Sequence, residues 1–337
     1  MLLKKVDRDL SIIHSKIRIS RLSPVNVSEE KKKVFRDNNY DPKLKYPKTT
    51  RNYSKIEKHL LNLKTDRTVY GVLLRKKINE LLNMLRMIDN VGKREFSKYS
   101  IKVYGKPSRE LVAEARRILK TDETEVWRRY SKTSMTKKFM DTFVLKNMNW
   151  KVVEKDMVAG ATFSTKSKTL YINKNRNYSE NDVRRLVVHE IGTHILRSEN
   201  ADKRDYKMFK FGFPGYLETE EGLAAYNEYV SGLLTPRILK NYAGRVLANH
   251  LGLKSSFSTV YNSLLEHFPK GEAWTLTLRS KRGISNTAKP GAFTKDHIYL
   301  KGFLRVKKYA EVGGNMRKLY IGKIGVEHVP LLPYILR

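Results

Sequence analysis

Apolar residues recur every three or four positions over most of the chain. Leu3, Val6, Leu10, Ile13 and Ile17 predict a helix within residues 1–21, ended before Pro24. Residues 36–54, with Pro42 and Pro47, carry no period and read as an irregular connection. Helices are predicted at 55–65 and 69–90, the second with one stripe of Leu73, Leu74, Ile78, Leu81, Leu82, Leu85 and Ile88. Ser108 is placed to cap a helix running to Leu119. A further helix is expected over 133–147. Residues 1–125 therefore read as an all-helical region, without a fixed-period repeat or low-complexity tract.

The texture then changes. Residues 150–157 and 168–173 read as strands, joined by a segment with Gly160. A helix over 180–197 follows, capped by Ser179, with Glu180 and Asp182 favourable in its first turn. Residues 199–217 read as a loop rich in aromatics and bases, from Tyr206 and Lys207 to Phe213 and Tyr216; it either lines a pocket or packs as a lid. Helices are expected at 219–233, 236–252, 257–268, 271–281 and 295–310. A basic loop spans 283–291, a short strand 316–321, and a segment with Pro330 and Pro333 ends the chain. The fold expected is α+β and predominantly helical. It has an N-terminal helical region (1–125) and a second region (126–337) holding a small sheet.

Composition bounds the class. A chain of 337 residues with 40 % hydrophobic content is globular, with room for one large or two modest domains. There is no cysteine, so disulfides and thiolate ligands are excluded, and a metal must rest on His, Asp or Glu. The N-terminus lacks an apolar signal core and no run reaches a membrane span, so a soluble cytoplasmic protein is expected. The net charge of +34, from 68 basic and 34 acidic residues, favours polyanions such as nucleic acid, anionic membrane or acidic protein tails. The bases are spread along the whole chain, as a general lysine bias would also spread them, so charge alone does not choose a partner.

The chemistry is concentrated in His189-Glu190-Ile191-Gly192-Thr193-His194, followed by Thr219-Glu220-Glu221-Gly222-Leu223-Ala224. Two imidazoles and a carboxylate are the ligand set of a catalytic zinc site with one position left for water. Glu190 is placed as the general base beside that water. Histidines five residues apart, however, point roughly 140° apart on an ideal α-helix. An i→i+5 turn returns them to one face, so the spacing predicts a π-bulge at 190–193, which Gly192 tolerates as a weak helix former. Glu220 and Glu221 point about 100° apart, so only one of them can ligate, and the residues alone do not say which.

These motifs, with Lys281-Arg282-Gly283 and the run from Lys289-Pro290-Gly291 through Lys295-Asp296-His297 to Tyr299-Leu300, resemble the microtubule-associated tyrosine carboxypeptidases. The resemblance is clear over 150–305 and looser before it. Prokaryotic relatives of that family carry a Gln-Glu-Gly-Leu-Ala motif; this chain has Glu220 in place of the Gln, as in the tubulin-processing branch. The resemblance implies a zincin-like metallopeptidase domain that removes a C-terminal residue, in the eukaryotic members the tyrosine of the acidic α-tubulin tail. It implies one Zn²⁺ held by His189, His194 and Glu221, Glu190 as catalytic base, and leaves Glu220 to orient a histidine.

A carboxypeptidase also needs a cation for the substrate's terminal carboxylate, and Lys281, Arg282, Lys289 and Lys295 are the candidates, Lys281 and Arg282 being in the shared motif. A tyrosine could donate to the oxyanion: Tyr299 is favoured over Tyr226 and Tyr229. His297 is near enough in sequence to join the site, whereas the remaining histidines stand alone. Two rival readings are a basic nucleic-acid-binding protein on a metallopeptidase scaffold and a zinc endopeptidase, whose cleft would be open at both ends.

Overall fold

A computed structural model describes residues 2–17, 19–47, 53–121, 130–131, 137, 148–157 and 160–336. The N-terminal helices form where the apolar stripes are strong. Leu2–Lys16 buries Val6, Leu10 and Ile13, and Val69–Asp89 buries its predicted stripe behind an N-cap in which Thr68 accepts from the Gly71 amide. Ser108 accepts from the Leu111 amide at 3.2 Å and opens the helix Arg109–Leu119. Two helices lack a readable stripe and were not predicted. Val27–Arg36 buries only Glu30 and Val34, and Phe96–Tyr104 only Phe96 and Ser100. The helix expected at 133–147 lies outside the described residues, apart from Lys137.

The change of texture near residue 125 is not a boundary between cores. Val6, Leu10, Leu74 and Leu81 share one core with Met208, Phe209, Phe213, Leu223 and Leu332. Leu111, Val112, Ala115 and Ile118 share another with Ala243, Val246, Leu247 and Trp274. Each fully buried aliphatic side chain contributes roughly 1.5–3 kcal/mol, so the N-terminal helices are a structural part of the frame that carries the site. The aromatic segment after residue 203 belongs to the first core: Met208–Phe211 is one helical turn, with Phe209 and Phe213 fully buried.

A three-stranded sheet supports the motif helix. Thr169–Asn173 is central, parallel to Lys151–Lys155 and antiparallel to the edge strand Ala161–Ser164. Val152, Leu170 and Ile172 pack one face of it against Val183, Leu186, Ile191 and Ile195. The edge strand is four residues long with no buried position, which is why the alternation did not reveal it. The strand expected at 316–321 is instead a 3₁₀ turn, Met316–Tyr320; only Leu319 is buried there, and no neighbouring strand offers a ladder among the described residues.

The helix Tyr216–Val230, which carries the second motif, crosses Ile298–Glu311 at a point where both chains are glycine. A Cβ on Gly222 would stand 2.2 Å from the Gly302 carbonyl carbon, and one on Gly302 would stand 2.0 Å from the Glu218 oxygen. The glycine of Glu-Glu-Gly is therefore a packing requirement, and the close crossing fixes the height of Glu221. Among the described residues no helix is long and apolar enough to cross a membrane.

Candidate metal centre

The motif helix begins with a capping box in which Ser179 and Asp182 satisfy each other's backbone amides. It is α-helical over Glu180–Leu186, π-helical over Val187–Ile195, and α-helical again over Leu196–Asp202. The distortion predicted at 190–193 is present and extends over the whole motif. Thr193 reinforces it by donating to the Val188 carbonyl, five residues back, at 3.1 Å. A Cβ on Gly192 would meet its nearest atom, the Val187 oxygen, at 3.7 Å. Gly192 thus contributes weak helix propensity rather than room.

The π geometry turns His189 and His194 to one face, their rings 5.0 Å apart and nearly perpendicular. Glu221 meets them from the Tyr216–Val230 helix. One of its oxygens lies 3.9 Å from Nε2 of each histidine, and the three ligand atoms lie within 4.8 Å of one another. Donor atoms around a tetrahedral zinc stand roughly 3.3 Å apart, so slight side-chain rotation brings this set to bonding distance. All three residues are buried. Glu190, half-buried, is close enough for its charge to act on His194.

Each histidine is held from behind by a carboxylate that is itself held by an arginine. Glu228 accepts from His189 Nδ1 at 2.7 Å and from Arg185 at 3.0 Å. Glu220 accepts from His194 Nδ1 at 2.9 Å and from Arg197. The fully buried Arg197 also donates to the carbonyls of Gly322 and Ile324. Carboxylates accept, so both Nδ1 atoms carry a hydrogen, and both Nε2 atoms face Glu221. Glu220 thus touches His194 at Nδ1, the ring nitrogen turned away from Glu221.

The electrostatics also suit a cation. Burial opposes charge on Glu220, but Arg197 and His194 hold its carboxyl down at about 2. Burial likewise opposes charge on His194, yet Glu220, Glu190 and Glu221 raise it to about 9. Arg185 and Arg197 neutralise the two rear carboxylates, while Glu221 and Glu190 face the histidines. Two imidazoles and a carboxylate whose donor atoms converge in this way fit a divalent metal, which would bind in exchange for the proton that His194 otherwise holds.

One flank of the site is cationic. Arg279 clasps Asp296 through two bonds of 2.5 and 2.9 Å. Arg282 lies 4.0 Å from Asp296 and over the Phe293 ring, and its buried Nε has no acceptor among the described residues. Burial lowers the Lys295 ammonium, while Glu221 and Asp296 are near enough to oppose that. Tyr299 stacks on Tyr242, and Arg245 covers its ring at 4.3 Å. Burial raises the Tyr299 phenol strongly and nearby Glu221 adds to this, so it is a donor at neutral pH.

Lys281 requires correction. It is 0 % exposed, and its ammonium donates to the carbonyls of Gly252, Ser255 and Lys289. All three of its donors are used, so it ties loops together and has none left for a substrate. Lys289 is exposed; Tyr229 packs outward on Phe303 and Lys307. His297 is buried and gives its Nδ1 hydrogen to Thr294. The residues missed were Glu228, Arg185, Arg197 and Arg279. Glu228 had a signal: it stands seven residues after Glu221, two helical turns on the same face.

A buried group of two histidines and one carboxylate on a π-distorted helix, with a further carboxylate beside it, belongs to the class of arrangements that could hold a metal ion. Over residues 33–337 the chain matches the model of the microtubule-associated tyrosine carboxypeptidase family, and it belongs to that family. It is 30 % identical over 155 residues to mouse microtubule-associated tyrosine carboxypeptidase 1, covering 44 % of this chain and 33 % of that protein. The human counterpart is 28 % identical over 149 residues, 43 % of this chain and 31 % of that protein. A mouse relative named putative tyrosine carboxypeptidase MATCAP2 is 23 % identical over 323 residues, 93 % of this chain and 55 % of that protein. The matches thus span between 31 % and 55 % of the length of these relatives.

Proposed function

We propose that the chain is a zinc-dependent carboxypeptidase that removes the last residue, tyrosine or another aromatic, from an acidic protein or peptide tail. The observation that carries this reading is the convergence of His189, His194 and Glu221 beside a cationic flank. Zinc held there would lower the pKa of its water towards about 7 and polarise the scissile carbonyl.

The chain's own groups do the rest. Glu190 takes the proton of the attacking water and passes it to the departing amine. Glu220 and Glu228 keep both imidazoles in the tautomer that presents Nε2. Tyr299 donates to the oxyanion of the tetrahedral intermediate. Lys295 and Arg282 hold the terminal carboxylate, with Arg279 fixing Asp296 4.0 Å from Arg282. Such a flank suits a chain end rather than the open cleft of an endopeptidase, and only the net charge speaks for nucleic acid.

The test is incubation with peptides varied at the C-terminus, with and without a chelator, read by mass spectrometry. Loss of one terminal residue, abolished by chelation and by Glu190→Gln, is the expected result. Internal cleavage, or trimming that survives the chelator, would overturn the assignment.

A further inference from the structure

The metal centre has a second cationic flank, formed by one residue. Lys323 belongs to the segment that Arg197 clamps through the carbonyls of Gly322 and Ile324. Its own backbone is fixed on both sides, the amide donating to the Phe209 carbonyl at 2.7 Å and the carbonyl accepting from Phe213 at 2.9 Å. From this rigid clip the ammonium reaches over the Phe163 ring, 5.9 Å from its centroid, and Phe163 lies stacked 5.9 Å from His194.

This ammonium has no hydrogen-bond acceptor among the described residues. Its charged neighbours are Glu220, already engaged by His194 and Arg197, and the cations Arg197, Lys77 and Lys210. Burial pushes the Lys323 pKa down, and only Glu220 opposes that. A long side chain held half-buried among like charges, on a fixed backbone, is costly to keep without a partner. An incoming carboxylate would relieve that cost.

The position of Phe163 says which carboxylate. It lies on the edge strand Ala161–Ser164, whose outer side is not paired in the described sheet. An extended substrate can add there as a further strand, its acyl side running past Phe163 to the metal. Lys295 and Arg282 then meet the chain end on the leaving side. Lys323 is thus on the acyl side of the scissile bond.

We infer that Lys323 is a specificity-determining residue that binds an acidic side chain on the residue just before the scissile bond, the one that becomes the new C-terminus. The direction of the substrate rests on the carboxypeptidase reading above. The charge-assisted hydrogen bond formed is expected to favour Glu over Gln at that position by roughly tenfold or more.

The test compares two labelled peptides that end in the same residue and differ only in Glu or Gln at the penultimate position. Their Kd values are measured by anisotropy on the zinc-loaded Glu190→Gln protein, alone and combined with Lys323→Met or Lys323→Arg. The Glu/Gln ratio should fall to near one with Lys323→Met and persist with Lys323→Arg. Zinc content and far-ultraviolet circular dichroism report whether each variant keeps its fold. A ratio that survives Lys323→Met, or no preference in the parent protein, overturns the inference. If Lys323→Met instead removes the preference for a free carboxylate over a C-terminal amide, the two flanks are reversed and the inference also falls. Tight, Glu-selective binding without cleavage by the wild-type protein would sink the carboxypeptidase reading while leaving Lys323 in its role.

Discussion

His189 and Glu228 meet at 2.7 Å across two helices, with Arg185 holding the same carboxylate oxygen from the other side at 3.0 Å. Glu228 has 0 % exposure, so its charge is sustained by these two partners and by the Tyr242 hydroxyl, which donates to its other oxygen at 3.5 Å. Glu228→Gln keeps the shape but removes the strong acceptor that fixes the His189 tautomer. Zinc affinity should fall about 10- to 100-fold, measured by competition with a chromophoric chelator. Glu220→Gln should act in the same sense through His194. Unchanged affinity in both variants would show that neither carboxylate orients a ligand.

Glu190 should separate metal binding from turnover. It shares the π-helical segment with both histidines but is not one of the three converging ligand groups. Glu190→Gln should keep close to one zinc per chain and lower kcat at least 10²-fold, the usual contribution of a positioned acid–base group. His189→Ala and His194→Ala should lose the metal itself. Because metal bound only by the folded chain stabilises it by RT ln(1 + [L]/Kd), chelation should lower the Tm of the parent protein and of Glu190→Gln alike, and added zinc should restore both.

Legibility followed the range of the interactions. The two histidines were readable because they lie in one motif and the five-residue spacing itself demanded the π turn, whereas Glu221 was preferred to Glu220 only through the resemblance. Helices with long stripes were readable for the same local reason. Arg197 and Arg279 were hidden among 68 basic residues, since what distinguishes them is pairing with carboxylates that stand 23 and 17 residues further along the chain. Lys281 was misread for the converse reason: it lies in the shared motif, yet three carbonyls from the turns around Gly252, Ser255 and Lys289 enclose it. Burial of a charged side chain is decided by such distant contacts, and no local pattern announces it.

Gly222 tests whether the second motif is also a packing device. Its Cβ would collide with backbone atoms of Gly302, which cannot turn aside as a flexible side chain can. Gly222→Ala must part the two helices and should cost about 1–3 kcal/mol, read as a lower urea midpoint. The same displacement carries Glu221 away from the histidines, so zinc affinity should fall as well. Gly302→Ala blocks the same crossing, and the double variant should cost less than the sum of the singles. Additive losses would mean that the two glycines act separately.

His328 should make the protein acid-sensitive. It is 4 % exposed, packs 5.1 Å from Phe213, and its Nδ1 accepts the Gly325 amide at 2.8 Å, an arrangement open only to the neutral ring. Burial, together with Lys76, Arg305 and Lys77, lowers its pKa from 6.5 to about 4; Glu327, 3.8 Å away, is the acid beside it. The folded-state value lies below the unfolded one, so the unfolded chain takes up the proton first. The contribution is fully present above pH 6.5 and is lost as pH falls through the window down to about 4. At most ~3 kcal/mol is at stake. The adjacent Val326 amide donates to Thr219 at the start of the helix carrying Glu220 and Glu221, so loosening here reaches the site. His328→Asn retains an acceptor for Gly325 but does not titrate. Urea denaturation of parent and variant between pH 4 and pH 7, compared as a difference so that other titrating groups cancel, should show the parent losing stability faster as pH falls. Parallel curves would show that the buried imidazole contributes nothing to the acid response.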